Sequence, residues 1–243
     1  MRRRGSCVAE HDWTFIAAGL EAGLRPVLPI GAAAKEHGWH LPVCTDAVQA
    51  DWLGSALAAR WPVLVWPTLT YGHYPAFLDY PGSTSVPAEA FTASVAAILD
   101  SIAPYHQIPA LLLNTGISTI APLDALVESR GDSTLVVHTN RGPDASRTRA
   151  MLCSQCHGGH ADEAETSVML AIAPDRVALE RAQPWDESLG SGPLSRTPGP
   201  RTYTPTGVMG RPDLATRHVG QQLLAAVLID VARVLGAARA VTN

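Results

Sequence analysis

The chain has 243 residues, 47% hydrophobic and 16% charged, enough to bury one sizeable core and simplest to read as a single domain over 1–243. A net charge of −4, with 18 Lys and Arg scattered apart from Arg2-Arg3-Arg4, argues against a nucleic-acid partner and for a small-molecule substrate. Glu10, His11 and Asp12 break the stretch where an export signal needs apolar residues, and no later run reaches eighteen uninterrupted apolar residues, so the expectation is a cytoplasmic protein without membrane contact.

Apolar runs bounded by turn residues predict buried strands at 26–30, 63–66, 110–113 and 134–137. Helical stretches fall between and after them, at 46–60, 87–103, 122–130 and 215–235. This alternation is that of an α/β domain on a largely parallel sheet. A further helix is expected over 162–173, opening on an acidic first turn and closing before Pro174. Its spacing lets only one of Glu163 and Glu165 point straight into a site. Residues 183–210 carry five prolines among glycines and serines without periodicity, the composition of a lid or binding loop.

Cys153-Ser154-Gln155-Cys156-His157 matches the short pattern of c-type haem attachment but lacks the export signal and second axial ligand that haem requires. The bland expectation is a helical pair of ordinary thiols packed against the sheet. His11, His106 and His218 read as surface or cap residues, while His138 and His157 could be structural or line a pocket.

Side chains that bind metals concentrate in three distant places: Lys35-Glu36-His37-Gly38-Trp39-His40, then Asp46, then the run from His157 to Ser167. Imidazoles and carboxylates from separate segments are how a hydrolytic zinc or manganese centre is assembled. That pattern points to an enzyme.

These segments also carry a resemblance. Leu28-Pro29-Ile30-Gly31-Ala32 leading to His37-Gly38-Trp39-His40-Leu41-Pro42 and Thr45-Asp46, with Tyr71-Gly72, the run Tyr80 to Thr84, the run His160 to Ser167, and Gly207 through Gly210-Arg211-Pro212 to Thr216, resembles the creatininase (creatinine amidohydrolase) family over about 25–235. The resemblance implies a three-layer α/β/α sandwich, a homohexamer, and hydrolysis of non-peptide or short-peptide C–N bonds with a metal pair. It puts metal ligands on His37, on Asp46, bridging two ions, and on Glu165, with His160 assisting proton transfer.

The second metal's ligands are missing. The family's glutamate before the first histidine is Lys35 here, and its Asn-Gly-His imidazole falls on Gly116 within Asn114-Thr115-Gly116. This pairing resembles a divergent branch of the family. Three accounts stand open: the Lys35 ammonium replaces the second cation, Glu36 and His40 rebuild a second site, or catalysis is lost and a metal- or ligand-binding protein remains.

The expected chemistry is metal-dependent amide hydrolysis. One Zn²⁺ or Mn²⁺, or two, would be held by His37, Asp46 and Glu165, with Glu36 and His40 as further candidates. His160 or Glu163 would protonate the leaving nitrogen and Lys35 would serve as an oxyanion partner. Trp39, His73, Asp79 and Ser118 are candidates for the pocket wall.

Overall fold

The computed structural model describes residues 5–187, 192–199 and 201–241. Five strands, β1 (Ser6–Cys7), β2 (Arg25–Ile30), β3 (Val63–Val65), β4 (Ala110–Asn114) and β5 (Thr134–His138), form a parallel sheet in the order β1-β3-β2-β4-β5. Side chains of period two divide between its faces. Val27, Val63, Val65, Leu111 and Leu113 point to one core, and Leu28, Ile30, Ala110 and Leu112 to the other. Because both faces are covered, β2 and β4 are buried throughout and read in sequence as continuous apolar runs.

On the first face lie α2 (Thr45–Ala58), α5 (Pro143–Leu152), α6 (Glu163–Ile172) and α7 (Arg217–Val241). On the second lie α1 (Trp13–Glu21), α3 (Ala88–Ile102) and α4 (Ile120–Arg130). The result is the expected three-layer α/β/α sandwich. By length and composition α7 is apolar enough to cross a membrane. Its Leu223, Leu224, Val227 and Val231 are nevertheless buried within the protein, and the helix packs on α5 and α6.

Three elements escape the sequence reading. β1 is only two residues long. Asp12, one of the polar residues that break the first apolar run, accepts from the Thr14 and Phe15 amides and so caps α1. Of α5's side chains only Ala145 is buried, leaving no apolar period to detect. The helix is instead capped from a distance, because Asp230 of α7 accepts from the Asp144 and Ala145 amides at 3.0 and 2.9 Å. The two cysteines of the haem-like motif follow α5 in irregular chain rather than forming the expected helical pair.

Within 183–210, β6 (Leu194–Ser195) pairs with β7 (Thr202–Tyr203), and Trp185 bridges to Gly210 at the two ends of the segment. The segment is anchored across the top of the sheet. Asp79 accepts from Ser195 Oγ and the Arg196 amide, and Leu194 packs with Tyr74, Phe77 and Tyr80. Residues 188–191 and 200 of the expected lid lie outside the described residues.

The sheet order places neighbours β2 and β4 where the chain leaves in opposite directions, β2 toward β3 and β4 toward β5. Crevices beyond the carboxyl ends of strands at such a switch point are where α/β sheets bind ligands. The loop after Ile30 and the turn after Asn114 meet there, joined by Thr115 Oγ1, which donates to both the Ile30 and Asp46 carbonyls.

Candidate metal centre

The loop from β2 to α2 buries a lysine, a glutamate and two histidines, which is tolerable only if they satisfy one another. His37 is fully buried, and its Nδ1 lies 2.8 Å from the Lys35 carbonyl. A carbonyl only accepts, so Nδ1 carries the hydrogen and Nε2 presents its lone pair. That lone pair faces Asp46 Oδ1 at 3.2 Å and Glu165 Oε1 at 3.5 Å.

The opposite wall is the start of α6. Asp162 caps the helix by accepting from the Glu165 amide at 3.0 Å, which fixes Glu165 in the first turn. Ala161 adopts a left-handed backbone (φ 47°) and aims its amide at Glu165 Oε2, 2.7 Å away. His160 Nε2 donates to the Glu36 carbonyl at 2.9 Å and lies 2.5 Å from Glu36 Oε1, leaving bare Nδ1 3.8 Å from Glu165 Oε2.

Two imidazole lone pairs and a carboxylate therefore converge: ligand atoms of His37, His160 and Glu165 lie within 4.8 Å of one another. Lone pairs aimed at carboxylate oxygens repel unless a cation stands between them, and for His37 that cation is a proton or a metal. Burial and the Lys35 charge oppose a proton there. Glu165 and Asp46 outweigh them and raise His37 to about 9. The mixed imidazole and carboxylate donors fit Zn²⁺ or Mn²⁺, and each histidine has the outward hydrogen bond that orients a metal ligand.

Lys35 occupies the other side of Asp46. Its Nζ lies 2.7 Å from Asp46 Oδ2, only 4% of the residue is exposed, and the Phe77 ring centre is 4.8 Å from the nitrogen. Burial disfavours the ammonium, but Asp46 and Glu165 hold its pKa above the usual lysine range. Gly116, the other departure from the family pattern, is packed in. A Cβ there would meet Thr119 Oγ1 at 2.7 Å and the Tyr74 ring at 3.3 Å, so even the first atom of a side chain is crowded.

Lys35, His37, Asp46, His160 and Glu165 are thus brought together. Among the described residues, Glu36 and His40 are engaged by other partners. Glu36 is spent on His160 and the Gly38 amide, and stays ionised against burial chiefly because of His160. Burial lowers His40 to about 4, and its Nε2 lies 2.8 Å from Thr166 Oγ1. Glu163 is turned away as well, its carboxylate taken by the Ser154 and Gln155 amides at 2.8–3.0 Å.

Ser118 lines the adjoining cavity, but Trp39, His73 and Asp79 do not. Trp39 is 53% exposed, His73 binds the Val86 carbonyl, and Asp79 holds the 194–196 segment. The Cys153 thiol is pushed up to about 11, by burial first and then by Glu163, away from the reactive thiolate range. Sequence reasoning missed Phe77, Ala161, Gln49 and Arg149. Only Ala161 left a trace, its place just before an acidic helix cap.

Comparison with known proteins decides the family. Creatininase, described as creatinine amidohydrolase, matches residues 9–235. The chain belongs to the creatininase family. The match begins earlier than the motifs alone indicated.

Creatininase-family relatives include the mycofactocin precursor peptide peptidase of Mycobacterium ulcerans, strain Agy99, 30% identical over 229 residues, 84% of this chain and 81% of that protein. The protein of the same description from Mycobacterium tuberculosis, strain CDC 1551 / Oshkosh, is 28% identical over 225 residues, 85% of this chain and 82% of that one. A crystal structure of creatinine amidohydrolase (creatininase) superposes with a TM-score of 0.78 at 23% identity, covering 96% of this chain and 98% of that one, a likeness of fold. A zinc–zinc form of a mutant creatininase and a manganese form superpose equally well. The chain is accordingly a creatininase-family hydrolase fold with a candidate metal-binding triad.

Proposed function

We propose that this protein hydrolyses a C–N bond of a small amide or short peptide with one divalent ion, Lys35 standing where the family's second ion would be. The convergence of the His37 and His160 lone pairs on Glu165, beside Asp46 and at the wall of a cavity, carries this reading. The peptidase names of relatives at 28–30% identity support a peptide amide as the substrate.

Of the donors gathered around Glu165, His37, Asp46 and Glu165 would hold the ion, because Asp46 Oδ1 and Glu165 Oε1 both face His37 Nε2, at 3.2 and 3.5 Å, whereas His160 Nδ1 stands 3.8 Å from the other oxygen of Glu165 and is left for proton transfer. When bound, Zn²⁺ or Mn²⁺ acidifies water toward a pKa of about 7 and polarises a carbonyl. The protein's own groups do the rest. Lys35 presents a fixed positive charge where the carbonyl oxygen gains negative charge. His160, oriented by Glu36, carries a proton at Nδ1 from the attacking water to the departing nitrogen. The carbonyl carbon gains the water oxygen, the C–N bond breaks, and acid and amine leave.

Amides and short peptides offered to zinc- or manganese-loaded protein, with products read by mass spectrometry, test the proposal. His37→Ala is expected to lose ion and turnover together. His160→Ala is expected to keep its ion and lose about 10²–10⁴-fold in kcat. Full ion occupancy in Asp46→Ala, or undiminished turnover in His160→Ala, contradicts it.

A further inference from the structure

The cavity beside the centre measures about 450 Å³, and its wall combines ionic and apolar side chains. Asp46, Gln49 and Leu53 line it from α2, three and then four residues apart, so one helix face runs from carboxylate to amide to hydrocarbon over about 10 Å. α6 repeats the sequence with Glu165 and then Val168, and Leu224 and Val227 of α7 close the apolar end. The ionic cluster therefore opens into a hydrocarbon bay.

Two donors lie along this path without a full complement of acceptors. Gln49 Nε2 is buried and has no hydrogen-bond partner among the described residues. Arg149, on α5, lines the cavity with 38% of its side chain exposed and, among the described residues, makes a single 3.4 Å polar contact, to Asp162 Oδ2. Asp162 does not depend on that contact. Gln155 Nε2 holds the same oxygen at 2.7 Å, and the other oxygen caps α6. Lys35, the cavity's other cation, is already committed to Asp46.

We infer that the cavity selects amides whose amine side is an α-amino acid residue with an aliphatic side chain and a free carboxylate, the side chain in the bay formed by Leu53, Val168, Leu224 and Val227 and the carboxylate on Arg149. This deepens the hydrolytic reading and rests on it for the place of the scissile bond. A guanidinium with unused donors matches a carboxylate in a fork geometry. Gln49 supplies the remaining donor for a carbonyl oxygen between the two ends.

The test is calorimetric binding of acetyl-leucine, acetyl-leucinamide and acetyl-glycine to the zinc-loaded protein. Acetyl-leucine is expected to bind at least about tenfold tighter than the amide, the worth of a charge-assisted pair, and at least about tenfold tighter than acetyl-glycine, the worth of the filled bay. Arg149→Gln is expected to bring acid and amide within about twofold of each other while leucine stays preferred over glycine. Equal affinity for acid and amide, equal affinity for leucine and glycine, or no binding of any probe overturns the inference; the wild-type comparison alone decides it should Arg149→Gln not fold. Amide hydrolysis without these preferences sinks the inference and leaves the hydrolytic reading standing. The preferences without hydrolysis of any amide do the reverse.

Discussion

Lys35 is the residue on which the chemistry of this centre turns. Paired with Asp46 at 2.7 Å and shut from solvent, it is a charge that cannot be removed without leaving Asp46 buried beside a neutral neighbour. Lys35→Met is expected to destabilise the metal-free protein by about 3–5 kcal/mol, the cost of breaking a buried ion pair, in urea unfolding. It is expected to retain its ion while losing turnover. A variant as stable and as active as the parent contradicts the role given to Lys35. Lys35→Glu alone is not expected to create a second ion site, because Gly116 supplies no imidazole. At this scale the sequence was legible where metal-binding side chains cluster, in 35–40 and 160–165, and the family resemblance picked out His37, Asp46 and Glu165. It could say that only one of Glu163 and Glu165 faces the site, but not which, since the amides that bind Glu163 belong to the irregular turn at Ser154 and Gln155. Gln49 and Arg149 were invisible because each becomes a neighbour of the site only through helix packing.

Periodicity alone did not decide which elements were found: α2 and α4 were read without a clear apolar stripe, and α1 was missed although it has one. β2, β4 and α3 announce themselves by apolar runs or stripes, whereas α5 buries only Ala145 and owes its start to Asp230, 86 residues downstream. Asp230 also holds Arg233, which reaches Asp144. Asp230→Ala strips acceptors from two amides at the start of α5, and a loss of about 1–3 kcal/mol in urea unfolding is expected. A change below about 0.5 kcal/mol would show that α5 needs no such cap. A second device belongs to the loop before the short turn at Pro212–Leu214: Gly207 has φ 82°, and a Cβ there would strike Glu36 Oε2 at 1.8 Å. Gly207→Ala is therefore expected to push Glu36 off His160 and reduce kcat while sparing metal content. Loss of metal in step with kcat would place the defect at the ligands instead.

For the whole molecule, the alternation of strands and helices sufficed for the layered class, because a parallel sheet buried on both faces leaves few other arrangements. The strand order was not legible, since no local pattern says that β2 sits between β3 and β4. Yet that order creates the crevice in which residues 35, 46, 160 and 165 meet. The family resemblance implies a homohexamer, and light scattering is expected to give a multiple of the 25.7 kDa chain mass; the mass of a single chain at micromolar concentration contradicts it. The most direct measurement for the centre itself is metal analysis of the purified protein joined to anomalous scattering from its crystals. One ion per chain, bound by His37, Asp46 and Glu165 with the Lys35 nitrogen still beside Asp46, is the predicted result; two fully occupied ions per chain would contradict it.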